Sequence, residues 1–96
     1  MNKKLVDNQL LELFKAVLLL KDVKECEAFF KDLCTINELK AMSQRLEVVK
    51  LLDENVVYHE IAKKTGASTA TISRVSRSLN YGNDGYRLLL DRLNQK

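Results

Sequence analysis

Proline and tryptophan are absent from this 96-residue chain, and glycine occurs only three times. Without proline no helix interior is forced to break. With so few glycines there are few places where left-handed backbone comes at no steric cost. Strand-length alternation of apolar and polar residues is missing as well, so the chain reads as all-α. No apolar run approaches the roughly 18 residues of a membrane span, and the opening MNKKLVDNQL lacks the apolar centre of a secretion signal. A soluble, cytoplasmic protein with no membrane contact is the expectation. Cys26 and Cys34 lie inside helical patterns with no second pair of thiols and a single distant histidine, which argues against a metal site. They read as free, buried thiols in a reducing compartment. His59 has no nucleophile or ligand set around it, so no catalytic residue is assigned and the chain is not read as an enzyme. It reads instead as a surface or phosphate-side contact.

What is present is charge of both signs, unevenly placed. Residues 1–57 are close to balance with a slight acidic excess, whereas residues 58–80 carry Lys63, Lys64, Arg74 and Arg77 against Glu60 alone. The net charge of +3 therefore lies mainly in one short stretch. Cations gathered there are either phosphate contacts or simply a solvated face, and charge by itself does not separate the two.

Taken in order, the chain predicts six helices in a single domain over residues 1–96. Residues 6–20 form a first helix whose Leu10, Leu13, Phe14, Val17 and Leu18 make a stripe that Leu11, Leu19 and Leu20 broaden past one face. A helix that apolar needs cover on more than one side. In a chain this short a second copy is the expected cover, with a central helix in a monomer as the alternative. A second, amphipathic helix over 22–34 buries Val23, Cys26, Phe30 and Leu33. Thr35 and Glu38 then form the T-x-x-E capping box of a long third helix. That helix runs through Leu39, Met42, Leu46, Val49 and Leu52 to about Glu54, and Asn55 is a left-handed stop. Arg45 sits on it among apolar neighbours, exposed or snorkelling.

The stretch from Tyr58 to Leu79, YHEIAKKTGASTATISRVSRSL, has the form of a helix-turn-helix. Ile61 and Ala62 face inward from its first helix, Gly66 ends that helix in left-handed backbone, and Ser68 caps the second, whose Ile72 and Val75 return the apolar face. Such a unit places its second helix in the major groove of double-stranded DNA. Over residues 68–78 the candidate contacts are the short side chains of Ser68, Thr69, Ala70, Thr71 and Ser73, with Lys63, Lys64 and Arg77 on the phosphates. Few of these make bidentate contacts to guanine, so water and DNA shape are expected to carry much of the specificity. The break NYGNDG precedes a last helix with Tyr86, Leu89, Leu90 and Leu93 inward.

From Thr35 to Leu79, with TINE opening the long helix, then QRLEVV, then TGASTATISRVSRSL, the chain resembles the tryptophan repressor family, and more narrowly its relatives in Gram-positive bacteria. The resemblance implies a six-helix, intertwined homodimer with the first, second and last helices of two chains interlocked. Its two reading heads would meet half-sites about one helical turn, roughly 34 Å, apart. It also implies an effector pocket: the two arginines that clamp an indole in tryptophan-binding members match Arg45 and Arg74, and Thr35 and Ser78 match further pocket positions. Two departures stand out. The glycine that follows the second arginine in that pattern is Val75 here, and pocket leucines match Asp32 and Cys34. A branched side chain at 75 fills space that a flat ring would need. The expectation is thus no cofactor and no tryptophan requirement, with another small anionic effector left open at Arg45 and Arg74.

Together these readings predict a sequence-specific DNA-binding transcriptional regulator, a repressor by resemblance, acting as a homodimer. The alternative is a helical protein–protein interaction module whose reading head is vestigial.

Overall fold

A computed structural model describes residues 3–95, with side chains described from Asp7 onward. Met1, Asn2 and Lys96, on which the reading of the N-terminus and the 1–96 domain bounds partly rest, lie outside the described residues. Six helices and no strand are present among those residues: α1 Lys3–Leu18, α2 Val23–Leu33, α3 Ile36–Asp53, α4 Tyr58–Thr65, α5 Thr69–Tyr81 and α6 Gly85–Leu93. No helix among the described residues is long and apolar enough to cross a membrane.

The helix ends are set by local chemistry. The amides of Leu19 and Leu20 bond to the carbonyls of Ala16 and Val17 at 3.1 Å each, a tightened last turn that closes α1 two residues before the expected Leu20. Asp22 caps α2 by accepting the Glu25 amide at 2.9 Å, while the Glu25 carboxylate accepts the Lys21 amide at 2.9 Å. At α3 the predicted capping box is complete: Thr35 Oγ1 accepts the Glu38 amide at 3.1 Å and Glu38 Oε1 accepts the Thr35 amide at 2.7 Å. Asn55 takes a left-handed φ of 63° just after α3.

The chain divides into two compact units, one through Leu39 and one from Lys40. In the first, no described side chain is buried. Leu11, Phe14, Leu18, Leu19 and Val23 are exposed, the last three by more than three-quarters of their surface. The expectation that Val23 and Leu33 turn inward, and that both cysteines are buried, is therefore not met within one chain: Val23 and Leu33 are exposed, and Cys26 and Cys34 are free and half-buried. Within the unit α2 is covered only in part, with Phe29 and Phe30 half-buried. Its outer face holds the Lys31–Glu27 pair at 2.7 Å, and that ammonium keeps the Glu27 carboxyl below the usual carboxylate value.

The core belongs to the second unit and comprises Val48, Val49, Leu51, Ile61, Ala67, Ile72, Val75, Leu79 and Leu90. Ile61, Ile72, Val48 and Val49 are wholly enclosed, each worth about 1.5–3 kcal/mol of burial. Two expectations change here. On α3 the buried positions are Val48, Val49 and Leu51, whereas Met42 and Leu46 are exposed, because α4 to α6 gather around the C-terminal half of the helix. On α6 only Leu90 is buried; Tyr86 packs at the core edge, and Leu89 and Leu93 keep 49% and 42% of their surface exposed, so one chain covers only a narrow strip of that helix. Arg87 reaches Asp53 Oδ1 and Asn80 Oδ1, both at 3.4 Å, tying α6 to α3 and to α5 at the surface.

Candidate nucleic-acid interface

The α4–α5 corner is built from short-range interactions. Gly66 caps α4 with φ 76°, a left-handed conformation that glycine takes without strain, and its amide bonds to Ala62 O at 2.9 Å. Ala67 is buried directly behind the bend. Ser68 then caps α5, its Oγ accepting the Thr71 amide at 3.1 Å.

Two stripes divide α5. Ile72, Val75 and Leu79, at spacings of three and four, enter the core. Ala70, Ser73, Arg74 and Arg77, also three and four apart, lie exposed on the other side, and Tyr81 extends that stripe with 85% of its surface exposed. Lys63 and Lys64 are exposed in the last turn of α4. Ser68 and Thr69 are exposed as well, at the N-terminus of α5, where the unsatisfied amides and helix dipole favour an anion. Thr71 is half-buried, and its hydroxyl accepts the Ser68 hydroxyl at 3.0 Å, so it also supports the cap.

Four of the residues assigned by resemblance to an effector pocket, Arg45, Arg74, Val75 and Ser78, lie in the second unit. Arg45, Arg74 and Ser78 are exposed, while Val75 retains only 2% of its surface, between Ile72 and Leu79 in the core stripe. Adjacent positions on a helix are about 100° apart, so Arg74 points to solvent while the next side chain enters the core. Val75 is thus a packed residue of the core. Thr35 lies in the first unit, engaged in its capping box. An open depression of about 430 Å³ adjoins the α5–α6 junction, lined by Ser78, Gly82, Asn83, Gly85, Tyr86 and Leu89; neither arginine lines it. Among the described residues no group of three or more histidine, cysteine or acidic side chains is placed to hold a metal.

One participant escaped the sequence reading. Gln44, half-buried on α3, donates from Nε2 to the carbonyl of Thr65 at 3.2 Å, across 21 positions of sequence. A glutamine on an apolar-patterned helix carries no local sign of such a partner.

Comparison with known proteins agrees with this geometry. The family model described as Trp repressor protein matches residues 8–94. The uncharacterized protein YerC of Bacillus subtilis (strain 168) is 56% identical over 92 residues, covering 96% of this chain and 88% of that protein. The crystal structure of a TrpR-like protein from Eubacterium eligens ATCC 27750 superposes with a TM-score of 0.91 at 57% identity, over 98% of this chain and 97% of that one. A candidate Trp repressor from Staphylococcus aureus superposes with a TM-score of 0.90 at 50% identity, over 100% of this chain and 97% of its own. With the family model spanning nearly the whole chain and the same helices in the same order, this chain belongs to the Trp repressor protein family, a family of DNA-binding, non-enzymatic regulators.

Proposed function

We propose that this protein is a transcriptional repressor that binds a specific double-stranded DNA sequence as a homodimer, through the α4–α5 helix-turn-helix, and does so without tryptophan. The observation that carries the reading is the division of α5: Val75 sits in the core at 2% exposure while Ala70, Ser73, Arg74 and Arg77 face outward with Lys63 and Lys64 close by in sequence. A reading helix whose inner face is already packed has no cavity that a flat ring must fill before the helix is held. Lys63, Lys64 and Arg77 supply phosphate contacts, and Ser68, Thr69, Ala70 and Ser73 present small side chains to base edges, with Thr71 supporting the cap. Arg45, Arg74 and Ser78, exposed on the second unit, remain candidate contacts for a small anionic effector, and the core position filled by Val75 leaves no room there for an indole.

The homodimer follows from surface left bare by one chain. Leu10, Leu11, Phe14, Leu18 and Leu19 on and after α1, and Leu88, Leu89 and Leu93 on α6, are exposed together with most of α2. Soluble monomers rarely leave so much apolar surface unpaired, and a second copy presents the same surface in return. The same faces favour the other reading, in which the helices dock on a different protein and the reading head is vestigial.

The two readings separate in one experiment. Duplexes are selected from a random pool on the full-length protein, and affinity is then measured against salt. A DNA regulator loses affinity as salt rises, with a slope of about 0.9 per phosphate contact, so Lys63→Ala with Lys64→Ala flattens the slope by up to about 2. Affinity is unchanged when tryptophan is added. If the double variant retains both slope and affinity, or no duplex is retained by the wild type, the interaction module stands instead.

A further inference from the structure

The carbonyls at the C-terminal end of a helix lack intrahelical partners and must find others. Around the end of α4 three carbonyls accept hydrogen bonds in three ways, and two of them, Ala62 O and Thr65 O, belong to that last turn. Ala62 O accepts the Gly66 amide at 2.9 Å. Ile61 O accepts the Thr65 hydroxyl at 2.7 Å, and the same hydroxyl oxygen accepts the Ala67 amide at 3.1 Å. These bonds stay within the corner. The third does not: Thr65 O accepts Gln44 Nε2 at 3.2 Å, from α3.

The geometry points to Gln44 as a positioning residue for the reading head: its amide caps α4 from another helix and latches the α4–α5 turn to α3 with no ligand present. The inference rests on the DNA-binding reading for its purpose, since the turn sets the direction in which α5 leaves α4. Three features make the latch effective. The side chain is half-buried, so the bond is partly shielded from competing water. The amide nitrogen lies 4.0 Å from where a Cβ on Gly66 would stand, against the bend itself. And the acceptor is a helix-end carbonyl that would otherwise be unpaired at a partly buried site, where a lost partner is costly. Val75 fixes the inner face of α5 by packing; Gln44 fixes the turn by a directional bond. Packing resists separation of the helices but permits small rotations, whereas the hydrogen bond opposes the rotation as well.

The test uses the full-length protein and three variants. Gln44→Met and Gln44→Glu keep the approximate shape and remove the donor; Gln44→Lys restores a donor. Amide hydrogen exchange is followed at Gly66 and Ala67 in the turn and at Ile72 in the core. The expected result is roughly fivefold faster exchange at Gly66 and Ala67 in the Met and Glu variants, a smaller change at Ile72, and protection regained in the Lys variant. Binding of the Met variant to the selected duplexes weakens by a similar factor with the salt slope unchanged, since no cation has been removed. Equal acceleration at Ile72, no change at the turn, or a Lys variant as fast as Met overturns the latch. Wild-type protein that retains no duplex overturns the DNA reading instead, while exchange at the turn still decides the role of Gln44.

Discussion

Replacing Val75 by glycine tests the packing and the effector argument at once, because it restores the residue of the tryptophan-binding pattern at a position with 2% exposure. Removing a buried valine side chain forfeits about 2 kcal/mol of transfer free energy. Glycine in a helix interior costs a few tenths of a kcal/mol more than valine, and the cavity left beside Ile72 and Leu79 adds to the loss. The total is about 3 kcal/mol, against a stability of about 5–14 kcal/mol expected for a chain of this length. Urea unfolding at fixed protein concentration reads it directly: with a slope of about 1–3 kcal/mol per molar, the midpoint falls by about 1–3 M. The second arm adds tryptophan. The wild type gains nothing, whereas a ligand at a hundred times its Kd would add about 2.7 kcal/mol. A loss below about 1 kcal/mol in the glycine variant would show that Val75 is not held in the core. Stabilisation of the wild type by tryptophan would refute the filled-site argument outright.

The two loop glycines should fail for different reasons when changed to alanine. Gly66→Ala meets no more than an ordinary contact with Gln44 Nε2 at 4.0 Å but a left-handed φ of 76° and costs about 1–2 kcal/mol, with Gly66→Asn costing less in the same urea assay. Gly82→Ala puts a Cβ 2.3 Å from the Ser78 carbonyl oxygen, a backbone atom, so the α5–α6 junction must shift at about 1–3 kcal/mol; an unchanged thermal midpoint would contradict this. Thr35→Ala removes one half of the α3 capping box and costs about 1 kcal/mol, with faster amide exchange confined to the first turn of α3. Leu11→Glu combined with Phe14→Glu charges an exposed apolar face and should convert a sedimenting dimer to monomer, whereas a wild type that already sediments as a monomer would remove the homodimer reading.

Much of the architecture is legible in the residues because helix ends depend on groups three or four positions apart. Thr35 with Glu38, Asn55, Gly66 and Ser68 each act through their own backbone or that of a near neighbour, and each does what its chemistry predicts. The interior stripe of α5 is legible for the same reason, since Ile72, Val75 and Leu79 share a face whatever they pack against. Burial is another matter. Met42 and Leu46 have the same periodicity as Val49, yet only the end of α3 is covered within the unit, and Leu89 and Leu93 stay half-bare where Leu90 is enclosed. Periodicity marks a face; it does not say how much partner arrives to cover it.

By itself, then, the sequence determined the six helices, their caps, the corner between α4 and α5, and the inward face of Ile72 and Val75, all of them consequences of local spacing. Only the tertiary structure decided that Met42 and Leu46 stay exposed while Val48 and Val49 are enclosed, and that Gln44 reaches Thr65 across 21 positions. Both depend on where α3 lies against the α4–α5 pair, and that is set by the summed packing of residues far apart in the chain.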